Sequence, residues 1–156
     1  MIAGPSTEKI IHDCARELTQ RVLPHLTDAP TIALVAMLDH VLRNAAERCA
    51  HEIAWMIEER AQILTLAEEV LARNPRLPGF QEAVANATEP ASLNLDDVID
   101  AYRRASEVLS IMLETTIGVD NASQYQAAFN LLLVRTKREK DITLGWGEAE
   151  GLGGTR

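Results

Sequence analysis

The sequence predicts an all-α protein, an elongated bundle of four main helices and one short helix in which the second helix is very long. Two observations indicate this class. Only 4% of the 156 residues are aromatic, whereas the strands of sandwiches and barrels draw on aromatic and β-branched residues. The glycines and prolines cluster, and the long stretches between the clusters lack either residue, as is typical of helices separated by turns.

The first helix is predicted from about Ser6 to Leu23. Ser6 or Thr7 can accept a hydrogen bond from the free amides of the first turn. Apolar residues recur at helical spacing along this segment, at Ile11, Cys14, Ala15, Leu18 and Val22. Pro24 has no amide proton to donate, so the helix is expected to end near it.

The second helix is predicted from the absence of any Gly or Pro between Thr31 and Asn74. Asp28 can cap its first turn, and Pro30 suits a first-turn position. These 44 residues would form a rod of about 66 Å at the usual rise, whereas a compact domain of this size is about 40 Å across. Either the helix breaks near Glu58-Glu59-Arg60, or a second subunit covers the protruding apolar face. The absence of a helix breaker favours the second alternative.

We therefore predict that the chain forms a homodimer through the apolar face of this long helix. The bulky side chain of Trp55 lies at the edge of the polar face, where it is either covered by another part of the fold or acts as an interface anchor. The candidate interface residues are Val35, Leu38, Leu42, Cys49, Ile53, Trp55, Met56 and Leu64.

The rest of the chain is predicted to form a turn, a short helix and two further long helices. Asn74 to Gly79 is the turn, and Phe80 to Ala87 the short helix. Asn94 caps a helix that ends near Gly118. Asn121 and Gln124 resemble a capping box at the start of the last helix. One helical-bundle domain is thus expected over residues 1–143, followed by a flexible Gly-rich tail over 144–156.

Composition excludes several classes of partner. The formal net charge of −8 argues against nucleic acid or an anionic membrane surface. The longest apolar run, Ile32 to Leu38, is too short to span a bilayer. The start of the sequence lacks the pattern of a signal peptide, and two cysteines do not form a disulfide framework. We expect a soluble, cytoplasmic protein with a second copy or another protein as its partner.

The only candidate for metal binding is the pair Glu47 and His51, four residues apart on one helix face. A zinc-protease motif would need a second His at position 55, which is Trp55. Helix-bundle di-iron sites use a Glu-x-x-His spacing, which the chain does not contain. The simpler interpretation is a solvated helix-surface pair. No catalytic residue and no cofactor are predicted.

One segment is similar to a known family. Glu17-Leu18-Thr19-Gln20-Arg21-Val22-Leu23-Pro24-His25-Leu26-Thr27 precedes an amphipathic helix with Val41-Leu42-Arg43. Over the first third of the chain this resembles the start of an uncharacterised bacterial helical family. Its members tend to be encoded near aminoglycoside-phosphotransferase-like kinases and acyl-CoA dehydrogenases. The resemblance implies an accessory role in acyl or alcohol metabolism and implies no catalytic residues.

The leading hypothesis from the sequence is a non-enzymatic protein that self-associates through its long helix and serves as an interaction module. An alternative is a protein or enzyme that binds a small acyl-type molecule between its helices, suggested by the aliphatic, Met-containing faces at Met37, Met56 and Met112. Core filling is the commoner use of such methionines. A further alternative is a metal-dependent enzyme that uses the Glu47/His51 face.

Overall fold

The computed structural model describes residues 4–74, 77, 79–116 and 122–143. Over these ranges the chain consists of helices and connecting turns without a strand, so the all-α prediction is confirmed. Five α-helices lie in the described part, and one of them, Phe80–Asn86, is short. The predicted end at Gly118, the capping role of Asn121 and the predicted tail at 144–156 lie outside the described residues.

Helix α1 is Thr7–Glu17, and the Oγ of its N-cap Ser6 accepts a hydrogen bond from the Lys9 amide at 3.2 Å. Instead of the single regular helix predicted as far as Leu23, a π-helical turn follows at Leu18–Val22 and a 3₁₀ turn at Leu23–His25. The Thr19 hydroxyl donates to the carbonyls of Ala15 and Arg16 at 3.2 and 3.1 Å. Such back-bonding competes with the regular helical hydrogen bonds at the point where the helix widens.

Helix α2 is Ala29–Arg73, a single helix of 45 residues. The Asp28 carboxylate accepts a hydrogen bond from the Thr31 amide at 3.0 Å, which confirms the predicted cap. The hydrogen bonds from the Thr31 amide and hydroxyl also lower the pKa of Asp28, because they favour the charged carboxylate. The helix runs without a break through Glu58-Glu59-Arg60, as the absence of Gly and Pro predicts.

Three more helices complete the described chain: α3 at Phe80–Asn86, α4 at Leu95–Thr115 and α5 at Ala122–Thr143. Gly79 precedes α3 with a φ of 71°, a left-handed conformation that a residue without Cβ adopts at little cost. Asn94 is the N-cap of α4, but its side chain makes no capping hydrogen bond. The Ser92 hydroxyl instead accepts from the Asn94 amide at 3.0 Å and donates to Asp97 at 2.6 Å.

The chain divides into two compact units. The first unit contains Met1–Glu52 and Arg138–Arg156. Among its described residues the buried apolar side chains are those of Ala15, Val35 and Ala46. An ion pair within this unit joins Arg48 of α2 to Glu139 of α5, with Nη2 2.8 Å from Oε2.

The second unit, Ile53–Lys137, has the larger core. Phe80 of α3 and Met112 of α4 are fully buried in it, together with Ile63 of α2 and Ala128 of α5. Four helices therefore contribute to one apolar cluster, as expected for a helical bundle. The other buried members of the cluster are Ala67, Val70, Ala87, Ala105, Val108 and Leu109.

Candidate interaction surface

Four large apolar side chains of α2 remain exposed on one face of the first unit. Leu34 is 54% exposed, Met37 53%, Leu38 44% and Val41 43%. Met37, Leu38 and Val41 follow Leu34 by three, four and seven residues. This spacing places all four on one side of an α-helix. We call these four residues the exposed stripe.

The interface residues predicted from the sequence have different environments. Leu38, Cys49 and Ile53 are exposed, whereas Val35 and Met56 are buried within the chain. The remaining three are partly buried: Leu42, Trp55 and Leu64. Leu64 packs against the apolar cluster of the second unit. Of the predicted residues, only Leu38 belongs to the exposed stripe.

Helix α1 and the π-helical turn that follows it also leave apolar surface exposed. Ile10 of α1 is 50% exposed, and Val22 of the turn is 41% exposed. They line a cleft of about 510 Å³ together with Asp13, Cys14, Glu17 and Leu18. Since Ile32 of α2 is exposed as well, α1 and α2 both present aliphatic side chains to solvent in the first unit. The buried apolar side chains described in that unit are two alanines and one valine.

Glu47 and His51, the predicted metal-ligand candidates, form a helix-surface pair. The His51 Nε2 lies 3.6 Å from the Glu47 Oε1, and each side chain is about half exposed. Within the described residues, no group of three or more His, Cys, Asp or Glu side chains lies close enough together to hold a metal ion. The geometry shows a solvated i, i+4 contact.

A partly buried polar cluster lies in the second unit, formed by Glu59 of α2, Tyr102 and Ser106 of α4, and Arg135 of α5. The Tyr102 hydroxyl donates to Glu59 Oε1 at 2.9 Å. The Arg135 Nε donates to the Tyr102 hydroxyl at 2.5 Å and lies 3.0 Å from the same Glu59 oxygen. The Arg135 guanidinium also lies over the Tyr102 ring, 4.6 Å from its centroid, and its Nη2 donates to the Ser106 hydroxyl at 2.7 Å.

Burial raises the pKa of Tyr102 to about 12, because the phenolate would lose its hydration. The neighbouring Arg135 lowers the pKa of Tyr102, and the negative charge of Glu59 raises it further. The phenol therefore stays protonated and donates to the carboxylate. This arrangement links three helices.

Arg60 makes a second buried connection in the same unit. Its Nη2 donates to the Ala87 carbonyl at 3.0 Å, and its Nη1 lies 2.8 Å from the Glu89 Oε1. Ala87 is the C-cap residue of α3, where backbone carbonyls lack helical partners. Arg60 therefore fastens the end of α3 to α2, even though its own buried Nε lacks a hydrogen-bond partner.

Helical periodicity does not predict these two connections, because it describes each helix alone. The available signal is the position of Glu59, three residues after Met56 and four before Ile63, both of which are buried. A carboxylate on the apolar face of a helix needs a partner, but the spacing does not identify Arg135 as that partner.

Comparison with known proteins gave no assignment: no family model, no curated protein and no solved structure matches the chain. Across the described residues, no helix combines the length and the hydropathy needed to cross a lipid bilayer.

Proposed function

We propose that this protein functions as a non-enzymatic interaction module that self-associates into a homodimer through the exposed stripe of α2. The observation that supports the proposal is the composition of the first unit. Six apolar side chains on its described parts of α1 and α2 are exposed, namely Ile10, Ile32, Leu34, Met37, Leu38 and Val41, whereas its buried apolar residues are Ala15, Val35 and Ala46. A second copy would provide the apolar layer that this unit lacks.

The energetics are compatible with a reversible dimer. Full burial of one aliphatic side chain contributes about 1.5–3 kcal/mol, and the four stripe residues are about half exposed. Eight such side chains across a dimer would contribute about 6–12 kcal/mol in total. Association costs about 4–15 kcal/mol, so the most favourable difference is about 8 kcal/mol. That difference corresponds to a Kd of about 1 µM, and we therefore expect a dimer no tighter than micromolar.

The stripe itself would bring no like charges together in a dimer. The net charge of −8 on each chain opposes self-association, and salt screens this repulsion. The stripe contains no charged residue. Asp39, which lies nearby on α2, is already paired with Arg43 at 2.8 Å.

Substitution of Met37 provides a direct test. Met37→Glu would bury a carboxylate in the contact and remove apolar area in both copies, so we expect the dimer Kd to rise at least about 100-fold. Leu93→Glu is the matched control, because Leu93 is 70% exposed and lies in the second unit. Sedimentation velocity measures the dimer Kd of both variants, and circular dichroism verifies that each variant remains helical.

The proposal predicts a concentration-dependent dimer for the wild type and for Leu93→Glu, with a monomer for Met37→Glu. A wild-type chain that stays monomeric throughout the micromolar range contradicts it. Equal weakening by both substitutions also contradicts it, because a general charge effect would then account for the result.

A further inference from the structure

We infer that the two halves of α2 differ in stability: Ala29–Glu52 opens and re-forms as a helix while Ile53–Arg73 stays folded, and association orders the first half. The division follows the boundary between the two units, which falls after Glu52. The coupling to association rests on the proposed function, whereas the difference between the halves does not.

Tertiary contacts decide how stable each half of α2 is. The helix is continuous over 45 residues, and its backbone hydrogen bonds join residues one turn apart. Most of the stability of a helix in a protein comes from packing of its apolar face against other elements. Stretches of one helix that bury different amounts of surface therefore open with different free energies.

The second half of α2 is held by the core and by hydrogen bonds to other parts of the second unit. Glu59 accepts from the Tyr102 hydroxyl at 2.9 Å, and Arg60 donates to the Ala87 carbonyl at 3.0 Å. Opening this half would break both connections and expose the apolar cluster, so we expect its amides to exchange only when the second unit unfolds. The buried residues of this half are Met56, Glu59, Arg60, Ile63, Ala67 and Val70.

The first half of α2 has much weaker support. Val35 and Ala46 are its buried residues, and all four residues of the exposed stripe lie within it. Arg48 forms an ion pair with Glu139 of α5, but the two side chains are 40% and 57% exposed, and exposed pairs contribute little stability. Opening this half therefore exposes much less apolar surface than opening the second half.

Helix α1, which belongs to the same unit, is itself short. Its 11 residues are fewer than the about 12–15 that isolated helices need to be even marginally stable in water. Ala15 is its buried residue, and a π-helical turn and a 3₁₀ turn follow it. Helix α1 therefore depends on packing within the first unit as well, and we expect it to open together with the first half of α2.

Association stabilises the first half by mass action. A second copy that contacts the exposed stripe binds the helical form of this half and not the opened form, so it shifts the equilibrium towards the helix. The fraction of open molecules in turn weakens association, in agreement with an affinity no tighter than micromolar. The concentration of the chain thereby controls how ordered the stripe is.

Hydrogen–deuterium exchange of the full chain, followed by mass spectrometry, tests both statements. The segments 38–49 and 59–70 have equal lengths, lie on α2 and belong to the first and the second unit respectively. In Met37→Glu, the variant expected to be monomeric, the amides of 38–49 should exchange at least about 100-fold faster than those of 59–70. In the wild type, raising the concentration from about 1 to about 200 µM should slow the exchange of 38–49 at least about threefold.

The substitution Ile63→Val provides an independent measurement. It removes a methyl group from the core of the second unit, where Ile63 is fully buried, so exchange of 59–70 should become about 2–12 times faster in the Met37→Glu background. Exchange of 38–49 should stay within about twofold, because opening of the first half leaves that core intact. Equal acceleration of both segments would show that α2 opens as a whole and would overturn the inference.

The remaining outcomes separate the inference from the proposed function. Similar exchange rates of 38–49 and 59–70 in Met37→Glu overturn the difference in stability, whatever the oligomeric state. A wild-type chain that dimerises in sedimentation but shows no slower exchange of 38–49 overturns the coupling while self-association stands. A wild-type chain that stays monomeric in sedimentation overturns the proposed function, and the two segments still measure the difference between the halves.

Discussion

Replacing Glu59 with Ala tests whether the polar cluster of Glu59, Tyr102 and Arg135 stabilises the fold. The substitution removes the carboxylate that accepts from the Tyr102 hydroxyl and lies 3.0 Å from the Arg135 Nε. The Glu59 side chain is 9% exposed and that of Arg135 is 26% exposed. The variant therefore leaves a guanidinium with little solvent and without its counter-charge.

The expected cost follows from these exposures. Removal of one partner from a buried ion pair destabilises a protein by about 3–5 kcal/mol. Because a quarter of the Arg135 side chain reaches solvent, we expect a value near the lower limit, about 3 kcal/mol. For a chain of this size that loss corresponds to a decrease in Tm of about 6–12 °C.

The assay is urea and thermal denaturation monitored by circular dichroism, with Glu68→Ala as the control on the same helix. Glu68 is exposed, so its replacement should change the unfolding free energy by less than about 0.5 kcal/mol. The double variant Glu59→Leu with Arg135→Met should recover at least about 1 kcal/mol relative to Glu59→Ala, because no buried charge remains uncompensated. Equal stabilities of Glu59→Ala and Glu68→Ala would refute the reasoning.

Three further predictions concern the second unit. The folded-state pKa of Tyr102 is raised from 10.0 to about 12, so its contribution to stability is complete below pH 10 and is lost as the pH rises towards 12. Between pH 10 and pH 12 the unfolding free energy of Tyr102→Phe should therefore decrease less than that of the wild type. Arg60→Met should lower the unfolding free energy by about 2–3 kcal/mol in urea titrations, because the Ala87 carbonyl loses its donor; an unchanged midpoint would contradict the fastening role of Arg60. Gly79→Ala should cost about 1–2 kcal/mol, because φ is 71° at that position; a stabilised variant would show that α3 starts in another conformation.

Local rules were sufficient to predict most of the helices. The absence of Gly and Pro predicted the unbroken course of α2. The residue types predicted one cap at Ser6 or Thr7 and another at Asp28, and the structure shows them at Ser6 and Asp28. These properties depend on hydrogen bonds within one or two turns. The π-helical turn after Glu17 was not predicted, because the hydroxyl of Thr19 can be satisfied in several ways.

The candidate surface could be predicted only in part. Helical periodicity identifies an apolar face on α2, but that face is wider than the part that the same chain covers. Val35 and Met56 are buried, while Leu34, Met37 and Val41 on the neighbouring side are exposed. Which of these apolar residues are buried depends on tertiary packing, and the spacing of residues along one helix gives no information about that packing.

The buried connections depend on contacts between residues far apart in the sequence. Glu59 and Arg135 meet only because α2 and α5 contribute to the same core, and Arg60 reaches the Ala87 carbonyl across 27 residues. Propensity and spacing describe each helix alone, so they identify a charged residue in need of a partner without identifying that partner.

The central claim is that the exposed stripe is a contact between two copies, and sedimentation equilibrium of the wild-type chain tests it most directly. We expect the weight-average mass to rise from 17.2 kDa towards twice that value between about 1 and 200 µM. The same experiment on Met37→Glu should give 17.2 kDa throughout. A wild-type mass that stays at the monomer value over the whole range would contradict the claim.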